Sequence, residues 1–426
     1  MNNEKLQTLA INGGTPVRPT PFPPRGHFTN EEKAACDAVM DRAIAAGVAP
    51  GYGGEEEEAF CKEFAELMGG GYADAVNSGT TAVYVALAAL ELEPYSEVII
   101  GPITDPGGVM PIVMNNCIPI VADSEEGSFN VSLEGIKKVY TERARAIIVP
   151  HIAGDAADIE NICAFAKEKG LKVIEDCAQA HGTKLNGKRV GTFGDIGAFS
   201  MMFGKHVCTG GQGGMVFTKD EDLYWKIKRH GDRGKPFGMP EDKPTCCLAS
   251  LNFNLDEMHC AIGRVQIKKT DDIAARRRVV FAKIKEAFKD FPEVSLYEGL
   301  PGAESSHWFV RFILDLSAIS CDKKTFASAI QHEGIWWALN PDYGRALVVD
   351  HDWYRERNVF GTSKYPWAAP EYKGDRDKIF NLADDIPNAA AAVATSVTLT
   401  ISESWDDEAI ADLAKMFRKV LDVYKK

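Results

Sequence analysis

No run of apolar residues in this chain approaches the ~18 that a membrane-crossing helix needs, so a membrane is not expected as a partner. Basic residues are outnumbered: 48 Lys and Arg stand against 61 Asp and Glu, a net charge of −13. Nucleic acid is excluded as a partner on the same ground, because phosphate backbones are bound with an excess of Lys and Arg. The first residues, MNNEKLQTLAINGG, lack the basic-then-apolar order of a secretion signal. Ten cysteines occur, but no CxxC pair, and Cys246 and Cys247 are adjacent. That spacing suits neither a zinc site nor a disulfide framework, and reduced thiols in a cytoplasmic protein are the expectation. There is no GxxxxGK[ST] phosphate loop, and no GxGxxG follows the first strand to open a helix. An NAD-dependent oxidoreductase of the dinucleotide-binding type is therefore set aside. Neither an internal repeat nor a low-complexity tract is present.

What remains is a chain of 426 residues with 45% hydrophobic and 26% charged residues, the composition of an ordinary globular enzyme. Its length predicts two domains. Residues 1–29 are Pro-rich and irregular, and Thr29 or Asn30 caps a helix through Ala46. The run Glu55–Glu58 opens a second helix, where negative charge is favourable, and reads as a solvated face. Strands at Val98–Ile100, Ile118–Asp123, Ala146–Pro150 and Leu171–Ile174 alternate with helices at 82–90, 132–140 and 155–170. That alternation means a mainly parallel sheet covered on both faces. A long helical region, 256–291, precedes a shift at about Pro301 to a strand at 307–316, a helix at 323–333 and a final helix at 406–423. The divisions expected are an N-terminal segment and helix, 1–50, a large domain, 51–295, and a small C-terminal domain, 296–426.

The stretch VIEDCAQAHGTKLNGKRVGTFGDIGAFSMMFGKHVCTGGQGGMVFT, Val173–Thr218, organises the rest. Asp176 stands where one short buried strand ends, the place where open α/β sheets collect their ligands. Lys205 follows the next apolar piece, Gly197–Phe199, in a Gly-containing turn 29 positions on (205 − 176). A lysine for an aldehyde and a carboxylate for a pyridinium nitrogen are the two groups that a pyridoxal phosphate (PLP) enzyme must supply. On spacing alone, a surface Asp and a surface Lys remain the alternative. Upstream, Asn77-Ser78-Gly79-Thr80-Thr81 puts small residues and hydroxyls at a helix start, a ready anion site.

The strings EDCAQAHG, GTFGDIGAFS, Lys205 and Gly213-Gly214-Met215-Val216 resemble the DegT/StrS family of PLP-dependent aminotransferases, which act on keto-sugars and keto-cyclitols. The resemblance implies an α/β, fold-type I PLP-dependent transferase: a large domain with a mainly parallel sheet under helices, plus a smaller C-terminal α+β domain. It implies that Lys205 forms the Schiff base with pyridoxal 5′-phosphate and moves the substrate proton, and that Asp176 holds the ring nitrogen. Thr80, Thr81 and Ser200 would take the phosphate, and Gln179 the phenolic oxygen. Asn252 matches an arm that crosses a homodimer interface to the neighbour's cofactor. The partners implied are a glutamine or glutamate amino donor and a keto-sugar or cyclitol acceptor, used in ping-pong order; no metal is implied.

Three departures stand out. Asp105 occupies the place of an aromatic residue that stacks on the cofactor ring; it is expected to cap a turn or hydrogen-bond locally, with either another side chain covering the ring or the face left open and polar for a hydroxyl-rich acceptor. Asn254 stands in place of an arginine. One residue more than usual separates Lys205 from the Gly-Gly-Met turn. Within the same family a dehydratase branch carries histidine in place of the lysine, which Lys205 disfavours. A non-catalytic PLP-binding regulator would not need the Lys205–Asp176 pair. His181 and His206 flank the site and read as structural rather than proton-transferring. The basic loop Arg229–Lys235 reads either as a contact for an acidic or phosphorylated acceptor or as solubilising charge. Trp336, Trp337, Tyr343, Trp353 and Trp367 read as core or dimer contacts rather than a sugar platform.

Overall fold

The computed structural model describes residues 3–240, 245–335, 338–341, 347–381 and 383–426. Seven strands, β1 (Tyr72–Val76), β2 (Glu97–Ile100), β3 (Ile118–Val121), β4 (Ala144–Pro150), β5 (Lys172–Asp176), β6 (Ile196–Ser200) and β7 (Gly214–Thr218), form one sheet in the order β1-β7-β6-β5-β4-β2-β3. From β6 to β3 every pairing is parallel, and β7 runs antiparallel to both of its neighbours. Strands such as Val98–Ile100 and Ile147–Val149 are apolar at every position because helices cover both faces. The parallel register aligns the strands' carboxyl ends: Pro150 pairs with Asp176, and Asp176 with Ala198. This is the mainly parallel, helix-covered sheet of fold-type I.

Capping side chains set the helix starts. Thr29 and Glu32 form a reciprocal box at the head of Asn30–Ala46, and Ser78 accepts from the Thr81 N–H at the head of Gly79–Ala89. Ser132, Asp256 and Asp406 cap the helices Leu133–Val139, Glu257–Ile267 and Asp407–Tyr424. The helical region 256–291 is two helices, Glu257–Ile267 and Thr270–Ala287. The acidic run at the start of Glu55–Leu67 is corrected: Glu56 and Glu57 are buried, not solvated. Glu56 pairs with Arg42 and Arg264, and Glu57 accepts from the Gly53 N–H at 2.8 Å and from Lys228.

Two hydrophobic cores divide the chain otherwise than by a single cut near residue 295. The first surrounds the seven-stranded sheet. The second lies under a four-stranded antiparallel sheet, Val294–Leu296, Phe309–Leu314, Ser396–Thr400 and Leu339–Asn340 in spatial order. Val280, Phe281, Ile284 and Phe288 from the end of the long helix already belong to this second core. The N-terminal segment belongs to it too, through Leu9 and Phe22. Buried Glu333 fastens that segment by accepting from Ala10 N at 2.9 Å, Val17 N at 3.1 Å and Lys419 Nζ at 2.7 Å. Conversely, Leu347, Tyr354, Trp367 and Tyr372 pack back onto the first core, with Trp353 half-buried against it. Trp336, Trp337 and Tyr343 lie outside the described residues. Among the described residues all ten cysteines are free thiols, and no helix is long and apolar enough to cross a membrane.

Phe22 is 5% exposed and lies 4.7 Å from Trp405, ring centre to ring centre. Phe22→Ala should therefore cost about 3 kcal/mol, the low end for a large-to-small core change. The lowered urea midpoint, followed by tryptophan fluorescence, measures it; an unchanged midpoint would show the segment to be loosely attached.

Candidate active site

A cavity of about 240 Å³ opens at the carboxyl ends of β2, β4, β5 and β6, against the start of helix Gly79–Ala89. It brings together Thr80, Asp176, Gln179, Ser200 and Lys205. Thr81 is not among its lining residues: its hydroxyl is used in the reciprocal cap, donating to Asn77 Oδ1 at 2.9 Å and receiving the Ser78 N–H at 3.0 Å. Ser78 and Gly79 line the wall in its place. Asn252 lies outside the cavity as well, exposed on a loop, where its side-chain oxygen accepts from the Asn254 amide at 2.7 Å. The arginine missing at 254 is thus replaced by a local turn contact.

Asp176 ends β5 and is buried. One carboxylate oxygen accepts from the Ala178 N–H at 3.0 Å. Burial raises its pKa, opposed by that N–H and by the charge of Lys205. Lys205 sits in the loop that returns from β6 to β7, closed by Lys205 N to Met202 O at 2.9 Å and Met201 N to Gly213 O at 2.8 Å. Its side chain is buried, and the loss of water lowers its pKa from 10.5 to about 8, with Asp176 and then Asp105 pulling the other way. Gln179 turns its carbonyl to the Ala153 N–H at 2.9 Å. His181 donates Nε2–H to the Ser200 carbonyl at 2.8 Å, and burial lowers its pKa to about 4. His206 donates to Ser306 O at 3.0 Å, and its pKa is also pushed far down by burial. Both rings are neutral and spent on backbone carbonyls, which supports their structural reading.

Three glycines allow the walls to approach one another. A Cβ on Gly79 would stand 2.4 Å from the Ser200 Cβ, on Gly107 2.3 Å from Thr80 Oγ1, and on Gly108 2.4 Å from Thr104 Oγ1. The first N–H groups of helix Gly79–Ala89 beyond the cap have no helical acceptor and, with the helix dipole, favour an anion beside Ser200. Asp105 makes the local cap expected of it. It caps helix Pro106–Met114 through the Gly107 N–H at 2.9 Å, and it faces the cavity. No Phe, Tyr or Trp is among the lining residues.

Behind Asp176, the buried Glu175 carboxylate accepts from the N–H groups of Gly191, Phe193 and Gly194 and from His151 Nε2. The ligand atoms of His151, Glu175 and Cys177 lie within 4.8 Å of one another. With Nδ1 of His151 already accepting from Ala157 N and Glu175 filled by N–H donors, the cluster serves as scaffold. The basic loop is likewise spent locally. Arg233 and Lys235 both pair with Asp232, at 2.8 and 2.6 Å. Arg229 donates to Phe237 O, and Lys228 pairs with Asp74 at 2.7 Å.

A buried lysine and carboxylate in one cavity, beside a helix start, define the cofactor site of an α/β group-transfer enzyme. The chain belongs to the DegT/DnrJ/EryC1/StrS aminotransferase family, whose model matches residues 30–340; these are PLP-dependent transaminases. It is similar to GDP-perosamine synthase of Vibrio cholerae, 33% identical over 262 residues, 62% of this chain and 70% of that one. It is also similar to UDP-N-acetyl-3-dehydro-alpha-D-glucosamine 3-aminotransferase of Acidithiobacillus ferrooxidans, 34% identical over 288 residues, 67% of this chain and 74% of that one. Among solved structures it is similar to an aminotransferase from Psychrobacter cryohalolentis, with a TM-score of 0.79 at 26% identity over 95% of this chain and 99% of that one.

The lining residues fit PLP: one buried lysine that could meet the aldehyde, a carboxylate that could meet the ring nitrogen, and a glycine-tightened helix start that could take the phosphate. Gly79→Ala tests the fit. Alanine favours a helix over glycine, so the helix should persist while the added methyl displaces Ser200. PLP should bind at least tenfold more weakly by fluorescence titration, with unchanged circular dichroism. Unaltered affinity would place the phosphate elsewhere.

Proposed function

We propose that this chain moves an amino group from glutamine or glutamate to the ketone of a sugar or cyclitol, in two half-reactions. The observation that carries the reading is the meeting of Lys205 and Asp176 in one buried cavity at the strand ends. Bound PLP supplies an electron sink that makes a substrate carbon–hydrogen bond acidic. Asp176 supports that sink by holding a proton at the ring nitrogen with a carboxylate kept from water. Lys205 is the covalent attachment point and the base. A pKa of about 8 leaves roughly one amine in ten unprotonated at neutral pH, against one in a few thousand for an ordinary lysine. Ser200, Thr80 and the N–H groups at Gly79 would hold the phosphate, and Gln179 would meet the phenolic oxygen. Thr81 contributes by shaping the helix start.

The acceptor class rests on the polar wall and on the relatives' names. Thr104, Asp105 and Gln212 are among the polar residues that line the cavity, as a ring bearing several hydroxyls requires. An aminotransferase named for a keto-sugar is among the similar proteins. Asn252, exposed and not among the residues that line the cavity, completes the site of a second copy in a homodimer. Retention of lysine at 205 keeps the dehydratase branch as the lesser reading.

Glutamine or glutamate added to the PLP-loaded protein should discharge its visible absorption and release the corresponding 2-oxo acid. Asp176→Asn should slow this step at least a hundredfold, about 2.7 kcal/mol of barrier, while leaving the protein folded. Discharge at the normal rate in that variant would remove Asp176 from the mechanism.

A further inference from the structure

In an amino-transfer cycle the lysine is free for half of the time, and a buried free ammonium needs somewhere to stand. Lys205 is 6% exposed, and among the described residues no carboxylate lies within ion-pair distance of its Nζ. What does meet it is an aromatic face: Nζ lies 3.8 Å from the centre of the Trp308 ring. Cation–π attraction is strongest with tryptophan and where water is excluded.

The indole is held from several sides. Its Nε1–H donates to Gly204 O at 3.1 Å, the residue before the lysine. Trp308 N donates to Ala153 O at 2.7 Å. Arg277 donates to His307 O at 3.0 Å and pairs with Glu403 at 3.0 Å, both side chains buried. Glu403 in turn pairs with Arg25 at 2.8 Å. Arg25 then donates to Lys205 O at 2.6 Å and His206 O at 2.5 Å. The chain closes on itself: the carbonyls of Gly204, Lys205 and His206 are tied to the same assembly that carries the indole. The backbone at Lys205 and the indole cannot separate without breaking a link of this chain.

We propose that Trp308 is a positioning residue that receives the Lys205 amine whenever the lysine is not bonded to the cofactor, held there by the Arg25–Glu403–Arg277 chain. This rests on the reading of Lys205 as the cofactor lysine. The indole stands at the strand entry His307–Trp308, behind the residues that line the cavity, and packs against the first hydrophobic core.

The other groups facing the amine are Asp176 from β5, Asp105 from the segment after β2, and neutral His181; His206, Arg25, Glu403 and Arg277 stand behind the lysine's backbone. The ring favours the charged amine, so weakening its face should lower the lysine's pKa. The test uses the full chain without cofactor, with fluorinated tryptophans installed at position 308 by nonsense suppression. These keep the shape and drain the ring's negative face. Lys205 is titrated by the pH dependence of its acetylation, read peptide by peptide by mass spectrometry. Its pKa should fall stepwise with fluorine number, by about one unit at four fluorines, and Trp308→Phe should fall between. A pKa that does not move across the isosteric series would overturn the proposal and leave Trp308 as packing. Because neither cofactor nor substrate is present, the outcome is independent of whether amino transfer occurs.

Discussion

An amine and a carboxylate taken out of water in one cavity are the constraint on which this structure depends. Each is costly to bury alone. The parallel pairing of β4, β5 and β6 places Asp176 at a common edge with Pro150 and Ser200, and the loop after β6 brings Lys205 back over that edge. The resulting pKa changes run in opposite directions for one reason, loss of water. The carboxyl of Asp176 is raised and the amine of Lys205 lowered to about 8.

Much of the surrounding structure serves to hold that loop. Glu175 gathers three backbone N–H groups from the turn before β6, which fixes the strand that precedes the lysine. On the other side Arg25 and Trp308 grip the carbonyls of Gly204, Lys205 and His206. Both grips come from segments that belong to or border the second core. The two hydrophobic units thus meet at the lysine, and Glu403 is the buried carboxylate that joins them.

The sheet was legible because a strand buried on both faces is written as a continuous apolar run, and helix starts because Thr29 and Ser132 are capping residues in the expected places. Asp176 and Lys205 were legible as a motif. Thr81 and Ser78 were harder to separate, since in a reciprocal cap two neighbouring hydroxyls compete for the same backbone groups and only geometry shows which wall each lines. The acidic run Glu55–Glu58 misled because two of its three cationic partners, Arg264 and Lys228, lie about 170 to 210 positions away, with Arg42 on the preceding helix. Trp308 and Arg25 carried no local signal at all. Their contacts with the lysine turn exist only once the chain is folded, and so does the return of residues 347–381 and 383–392 to the first core.

The measurement that bears most directly on the account is reduction of the PLP-loaded protein with borohydride, followed by proteolysis and mass mapping. The account predicts the cofactor's mass on the peptide that contains Lys205, and its absence from every peptide in Lys205→Ala. Cofactor mass on another lysine, or retained in that variant, would contradict the assignment of the site.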